Sequence, residues 1–261
     1  MKDFQLLDWR SASGLPYDIF LKNQEELAGR RLRGEIPDTV VLANHPPTIT
    51  LGVGRLREQL AAIRPLPRIY LSLSDETVLW DMSREYLQKH FGIALIRTKR
   101  GGKVWYHDTG VLHWYVIAET SPHFPAQTVH RLEETFYRAL VALGLPVRRI
   151  PERHERGAHS YLGVWSGEKK LAAIGVRVTA QGGRWVSQFG VALNVSPDQK
   201  GLRLIDPCGI TGKDATSIAE IARPDRMPTE ESIVYALTDA FSEVFEATWA
   251  KDQEKKVAGY A

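Results

Sequence analysis

The chain has 261 residues, of which 43% are hydrophobic and 25% charged, with a formal net charge of +3. This is an ordinary globular composition with enough chain for a sizeable core, and with no long basic tract, RNA-binding signature or zinc-finger spacing it argues against a nucleic-acid partner. A single cysteine excludes an intramolecular disulfide, no apolar run approaches the roughly 20 residues that span a bilayer, and the opening MKDFQLLDWRSASG lacks a signal-peptide core, so the expectation is a cytoplasmic protein with no membrane partner.

In chain order, Tyr17 to Arg33 reads as a helix, with Phe20, Leu21, Leu27, Ala28, Arg31 and Leu32 roughly on one side and Gly34 as its stop. Thr39 to His45 reads as a strand ended by Pro46-Pro47, and TITLGVG as a second short strand. Ser74 or Asp75 caps a helix running to Phe91, with Val78, Leu79, Met82 and Tyr86 expected inward and Gly92 behind it. IALIRT, VWYH and VLHWYVIAE are strands separated by the turns KRGGK and DTG. A longer helix spans about Gln127 to Leu143, with Val129, Leu132, Phe136, Leu140 and Leu143 as its apolar stripe. A meander follows: YLGVW, then KLAAIGVRV, then WVSQFGVALNV. Thr229 caps a last helix to about Trp249, with Ile233, Leu237, Phe241, Val244 and Phe245 inward, and the tail from about residue 251 is expected to fray. Adjacent strand groups interrupted by helices predict one α+β domain over residues 1–261, its mixed or antiparallel sheet flanked by helices.

Three features carry chemistry. Cys208, the lone cysteine, sits between Pro207 and Gly209 in a loop. A free cysteine is commonly a small buried hydrophobe, but a loop with a rigid residue before and a glycine after suits a presented thiol. Such a thiol needs a nearby cation or base to react at neutral pH. Lys169 and Lys170 enter a strand from a turn, where an exposed charge is the ordinary reading. Beyond them Ala172, Ala173 and Gly175, and on the neighbouring strand Gly190 and Ala192, put small residues where strands usually carry bulk, which floors a narrow groove or packs tightly against another backbone. Third, Arg100-Gly101-Gly102 can turn tightly and aim backbone N–H groups at an anion or carbonyl, with His107 and Asp108 just beyond. The histidines lack zinc-ligand spacing, and the glycines match no P-loop or dinucleotide motif.

NHPPTITLG, RGGKVWYH, KLAAIGVRV, FGVALNV and PCGITGKDATS, in that order, resemble the lipoyl(octanoyl) transferases of lipoate assembly, within the biotin/lipoyl protein ligase superfamily, over about Tyr17 to Ile221. The resemblance implies a biotin/lipoyl protein ligase-like fold. It implies transfer of an octanoyl or lipoyl group from an acyl carrier protein to a lysine of a lipoyl domain through a cysteine thioester, a route that needs no cofactor and no metal. It puts the nucleophile on Cys208 and the lysine that activates it on Lys170. The acyl-binding groups fall on Arg100, Gly101, Gly102, Lys103, Val104, Trp105, Tyr106 and His107, on Ala173, Ile174 and Gly175, and on Gly190, Val191 and Ala192. In this reading the backbone N–H groups near Gly209 or the Gly101-Gly102 turn stabilise the oxyanion.

The chain departs from the family pattern T-x-H-G-P-G-Q. Trp105 stands for the threonine, Asp108-Thr109 for Gly-Pro, Val111 for the glutamine and Phe189 for a histidine, and the stretch from Arg55 to Gly92 is longer than the family's. YHD-x-G is closer to the ATP-dependent lipoate–protein ligases, which form the first alternative. A non-catalytic paralogue that binds acylated carrier proteins is the second.

Overall fold

The computed structural model describes residues 2–121, 125–150 and 161–250, apart from the side chains at 125, 126 and 189. The tail expected to fray lies outside the described residues. The elements run β1 (Lys2–Asp8), α1 (Tyr17–Leu32), β2 (Asp38–Ala43), β3 (Thr48–Leu51), α2 (Leu56–Ala61), a 3-10 turn (Arg68–Ser72), α3 (Glu76–Phe91), β4 (Ala94–Arg97), β5 (Trp105–His107), β6 (Val111–Thr120) and α4 (Pro125–Ala142). They continue with β7 (Gly163–Ser166), β8 (Lys169–Gly175), β9 (Val178–Gln181), β10 (Arg184–Asn194), α5 (Gln199–Leu202), a 3-10 turn (Pro207–Gly209), α6 (Ile218–Ile221), α7 (Glu230–Phe245) and β11 (Ala247–Trp249).

The larger sheet has the order β11-β1-β2-β6-β10-β8-β7, with β9 paired to β10, and the smaller has the order β4-β3-β5. Strand β1 is parallel to β2 and β11, and β3 is parallel to β4, while the other pairs are antiparallel. The result is the mixed-sheet α+β architecture that the strand grouping predicts.

Period-two alternation divides the core. Val40 and Leu42 of β2, and Leu112, Trp114 and Val116 of β6, face the helix pair α4 and α7 through Leu132, Phe136, Leu237 and Phe241. Val41, Tyr115 and Ile117 face α1 through Phe20, Leu27 and Leu32. Covered on both faces, β2 is buried along its whole length. The smaller sheet, α2 and α3 pack against the same face as α1, with Ala173 and Ala192 of the large sheet in their cluster. The seam between these packings holds the pocket.

The sequence reading assigned no element to Lys2–Asp8, which is a strand held between β2 and β11; Phe4 is its one fully buried residue and gives little alternation to read. Three expectations are corrected. The last helix stops at Phe245, because Glu246 takes φ +50° and turns the chain into β11 beside β1. KLAAIGVRV breaks after Gly175: Val176 O accepts the Gly101 N–H at 2.6 Å and Arg177 O accepts the Gln188 N–H at 2.7 Å. In α3 the inward face is Leu79, Ser83 and Leu87, while Val78 and Met82 are exposed. Ser83 is tolerated inside because its hydroxyl donates to Leu79 O at 2.7 Å. The expected caps form: Asp75 accepts from Thr77 and Val78 N–H, Gly92 takes the left-handed conformation, and Thr229 accepts from Ser232 N–H.

Candidate active site

Cys208 has φ +55° and ψ +21°, a left-handed conformation that costs an L-residue roughly 1–3 kcal/mol and persists only where its surroundings fix it. They do so here through the backbone. Cys208 N–H donates to Val104 O at 3.1 Å, Gly209 N–H to Asp206 O at 2.8 Å and Ile210 N–H to Pro207 O at 3.1 Å. These bonds spend the N–H groups of the cysteine loop, and Gly101 N–H is spent on Val176 O. The expected oxyanion donors at Gly209 and Gly101 are therefore engaged within the protein. Gly102 N–H makes no hydrogen bond among the described residues.

The two lysines part company at the start of β8. Lys169 is exposed, whereas Lys170 is 1% exposed. A register shift between Val164 and Trp165 pairs Trp165 with Lys170 and turns the lysine side chain inward. Gly163 makes room: a Cβ there would stand 2.1 Å from Ala172 O and 3.2 Å from Lys170 Cε. Lys170 Nζ donates to Cys208 Sγ at 3.2 Å and lies 5.3 Å from the centre of the Trp165 ring. This contact places a lysine beside the thiol, the kind of neighbour a reactive cysteine requires.

Beside the thiol lies a narrow pocket that opens to solvent. The small residues form its floor. Ala173 pairs with Ala192 and Ala192 with His113, and two residues along, Gly175 pairs with Gly190 and Gly190 with Tyr115. The space above the glycines is used: a Cβ on Gly175 would meet Arg100 Cδ at 2.9 Å, and one on Gly190 would meet the Tyr115 ring at 2.8 Å. Of the expected acyl-binding residues, Arg100, Gly102, Lys103, Trp105, His107, Ala173, Ile174, Gly175, Gly190 and Ala192 line this pocket, together with Cys208.

Gly101, Val104, Tyr106 and Val191 do not line it. Alternation explains two of them: Tyr106 lies between Trp105 and His107 on β5 and faces the other way, and Val191 points into the α4/α7 core. The Tyr106 hydroxyl instead donates to Asp108 at 3.1 Å. Asp108 makes no bond to His107; it accepts from Gly110 N–H at 2.9 Å and Asp198 N–H at 2.7 Å, holding two loops together. Sequence reasoning missed Tyr17, Leu21 and Gln24 of α1, Thr98 and Lys99, His113 and Tyr115 of β6, Arg177 and Gln188. Small residues on β8 and β10 located the floor, but nothing in the sequence brings α1 or β6 to it.

A buried polar chain runs along the inner wall. Arg100 Nη2 donates to Thr50 Oγ1 at 2.6 Å, Thr50 Oγ1 meets His107 Nε2 at 2.8 Å, and His107 Nδ1 meets His113 Nε2 at 2.7 Å. His45 Nδ1 donates to Leu15 O at 2.7 Å, which leaves its Nε2 to accept from the Tyr115 hydroxyl at 2.9 Å. Burial holds all three histidines neutral. It pushes His45 down to about 4, and it holds His107 and His113 well below the ordinary imidazole range, with their neighbours' charge adding to the effect. No group of three or more His, Cys, Asp or Glu suited to a metal ion occurs among the described residues.

The site joins a buried lysine, a cysteine in a left-handed turn and a pocket floored by small residues on a mixed-sheet α+β frame. The comparisons give the family. A family model described as the lipoyl protein ligase A/B catalytic domain matches residues 16–242, and the chain belongs to that family. It is 37% identical over 200 residues, 75% of each chain, to an octanoyltransferase of Chloroflexus aurantiacus. It is 30% identical over 238 residues to an octanoyltransferase of Desulforamulus reducens, covering 89% of this chain and 88% of that one. In fold it is similar to a bi-partite lipoate protein ligase from Thermoplasma acidophilum, with a TM-score of 0.64 at 17% identity over 97% of this chain and 87% of that one.

Proposed function

We propose that this acyltransferase moves an octanoyl group from acyl carrier protein to a lysine of a lipoyl domain through a thioester on Cys208. The observation that carries the reading is the 3.2 Å contact between Lys170 Nζ and Cys208 Sγ at the wall of the pocket. The Cys208 thiolate adds to the donor thioester carbon, and the carbonyl electron pair moves to oxygen. When the oxyanion collapses, the carrier's thiolate leaves with a proton from the Lys170 ammonium, the acyl group stays on Sγ, and Lys170 is left as the neutral amine. The acceptor lysine, as free amine, adds to the same carbon and expels the Cys208 thiolate. Its surplus proton leaves through Lys170 acting as base in this half of the cycle.

With the loop's own N–H groups spent, Gly102 N–H and the Lys103 ammonium are the donors this reading assigns to the oxyanion. Lys103 lies against the cysteine turn: a Cβ on Gly209 would stand 2.7 Å from its Cδ and 3.7 Å from its Nζ. The octanoyl chain lies over Ala173, Gly175, Gly190 and Ala192, under Trp105.

Cys208→Ala tests the reading. Transfer from octanoyl-acyl carrier protein to a lipoyl domain should fall to background in a folded variant. Retained transfer, or activity restored by ATP and free octanoate, would select the ligase alternative instead.

A further inference from the structure

Between β3 and β4 one residue reaches the loop that carries Cys208. Arg64, just beyond α2, sets its guanidinium between the two stems of the cysteine loop. Its Nε donates to the Asp206 carboxylate at 3.0 Å and its Nη1 to Arg203 O at 3.2 Å. Its Nη2 donates to Lys213 O at 3.0 Å and to the Asp214 carboxylate at 2.9 Å. The backbone adds two bonds, Arg64 N–H to Leu204 O and Asp206 N–H to Ala62 O, both 2.8 Å. One planar group thus grips both stems of the loop, residues 203–206 and 213–214.

These stems lead to the two reacting side chains. Asp206 stands two residues before Cys208. Asp214 O accepts the Lys170 N–H at 3.0 Å, and Thr216 N–H donates to Lys170 O at 2.9 Å, so the second stem holds the lysine's own backbone.

We propose that Arg64 is a positioning residue that sets the contact between Lys170 Nζ and Cys208 Sγ by fixing the two stems of the cysteine loop against each other. The inference rests on the thioester reading above. The bidentate fork explains why arginine is needed: a lysine at this position supplies a point charge and cannot span both carboxylates in one plane.

The test compares wild type, Arg64→Ala, Arg64→Lys, Asp214→Asn and Arg57→Ala. Arg57 is the control because it braces the same segment, donating to Leu71 O and to Leu73 O, without touching the cysteine loop. Three readouts are taken: the pH profile of iodoacetamide alkylation at Cys208, kcat and KM for octanoyl transfer, and the thermal midpoint. Arg64→Ala should move the alkylation profile to higher pH and lower kcat by about 10- to 100-fold, the scale of a misplacement of about 1 Å. Its donor KM should stay within about threefold of wild type. Arg64→Lys should fall between the two, and Arg57→Ala should lower the thermal midpoint alone. If Arg64→Ala does not fold, Arg64→Lys and Asp214→Asn must shift the profile in the same direction. An unmoved profile in a folded Arg64 variant overturns the inference, as does an equal shift in Arg57→Ala. A wild-type Cys208 that alkylates like a free thiol and forms no thioester overturns the thioester reading itself, which is a different result from a reactive wild type with an indifferent Arg64.

Discussion

In the proposed reaction Lys170 is the side chain on which the chemistry turns. Burying an ammonium is costly unless its charge is used, and here it is set between the Trp165 ring and Cys208 Sγ. Lys170→Ala should therefore move the pH profile of Cys208 alkylation upward and lower kcat for transfer by about 100-fold or more, the range of a lost general acid–base group. An unmoved profile would leave Lys170 a structural charge. Trp105 makes a second prediction at this scale. It is buried and lines the pocket, so in the proposed reaction it would narrow the acyl groove rather than present an outer docking face. Trp105→Thr should shift preference toward longer donors, at up to about 0.8 kcal/mol for each newly buried methylene. Comparing kcat/KM for six-, eight- and ten-carbon donors in the two proteins checks it, and identical profiles would remove Trp105 from chain-length selection. The variant should also lose stability, by about 3 kcal/mol, because the ring belongs to a packed cluster.

Among the elements, β8 and β10 make the groove by what they omit. Adding a methyl at Gly190 drives it against the Tyr115 ring, whose hydroxyl holds His45. Gly190→Ala should raise KM for the octanoyl donor several-fold while leaving Cys208 alkylation unchanged; slower alkylation would mean that the substitution disturbs the thiol rather than the groove. Much at this scale is legible in the sequence. The alanines and glycines of β8 and β10 stand out because strands rarely carry them, and Asp75, Gly92 and Thr229 mark helix ends by local chemistry. What depends on partners far along the chain is not. Lys169 and Lys170 are indistinguishable until the register shift opposite Trp165 buries one of them. Trp105 and Tyr106 look equally suited to a pocket until the strand's two faces are assigned. The helical pattern of α3 misleads because Ser83 hides its hydroxyl in the helix's own backbone, so a polar residue takes the inward face.

Across the molecule, the face of the large sheet opposite α4 and α7 buries three neutral histidines between α1 and the smaller sheet. Because His45 titrates near 4 when folded and near 6.5 when unfolded, the unfolded chain takes up a proton between those values that the folded chain does not. Stability is therefore full above about pH 6.5 and falls as the pH drops toward 4, by about 3 kcal/mol from His45 alone. The urea midpoint measured from pH 7.5 to 4.5 should fall, and His45→Gln should flatten the slope by about one proton. A wild-type midpoint that is level or rises on acidification would contradict the buried neutral cluster. The same architecture brings three distant stretches to one thiol: β8 supplies Lys170, the loop after β10 supplies Cys208, and the segment after α2 supplies Arg64.

In the proposed reaction the acyl group passes through a covalent bond to Cys208. Intact-protein mass spectrometry after incubation with octanoyl-acyl carrier protein, without acceptor, measures this directly. The expected result is one added octanoyl group, released by hydroxylamine, mapped to Cys208 and absent from Cys208→Ser. An octanoyl group found on a lysine or serine, or full turnover with no acyl-enzyme at any time point, would contradict it.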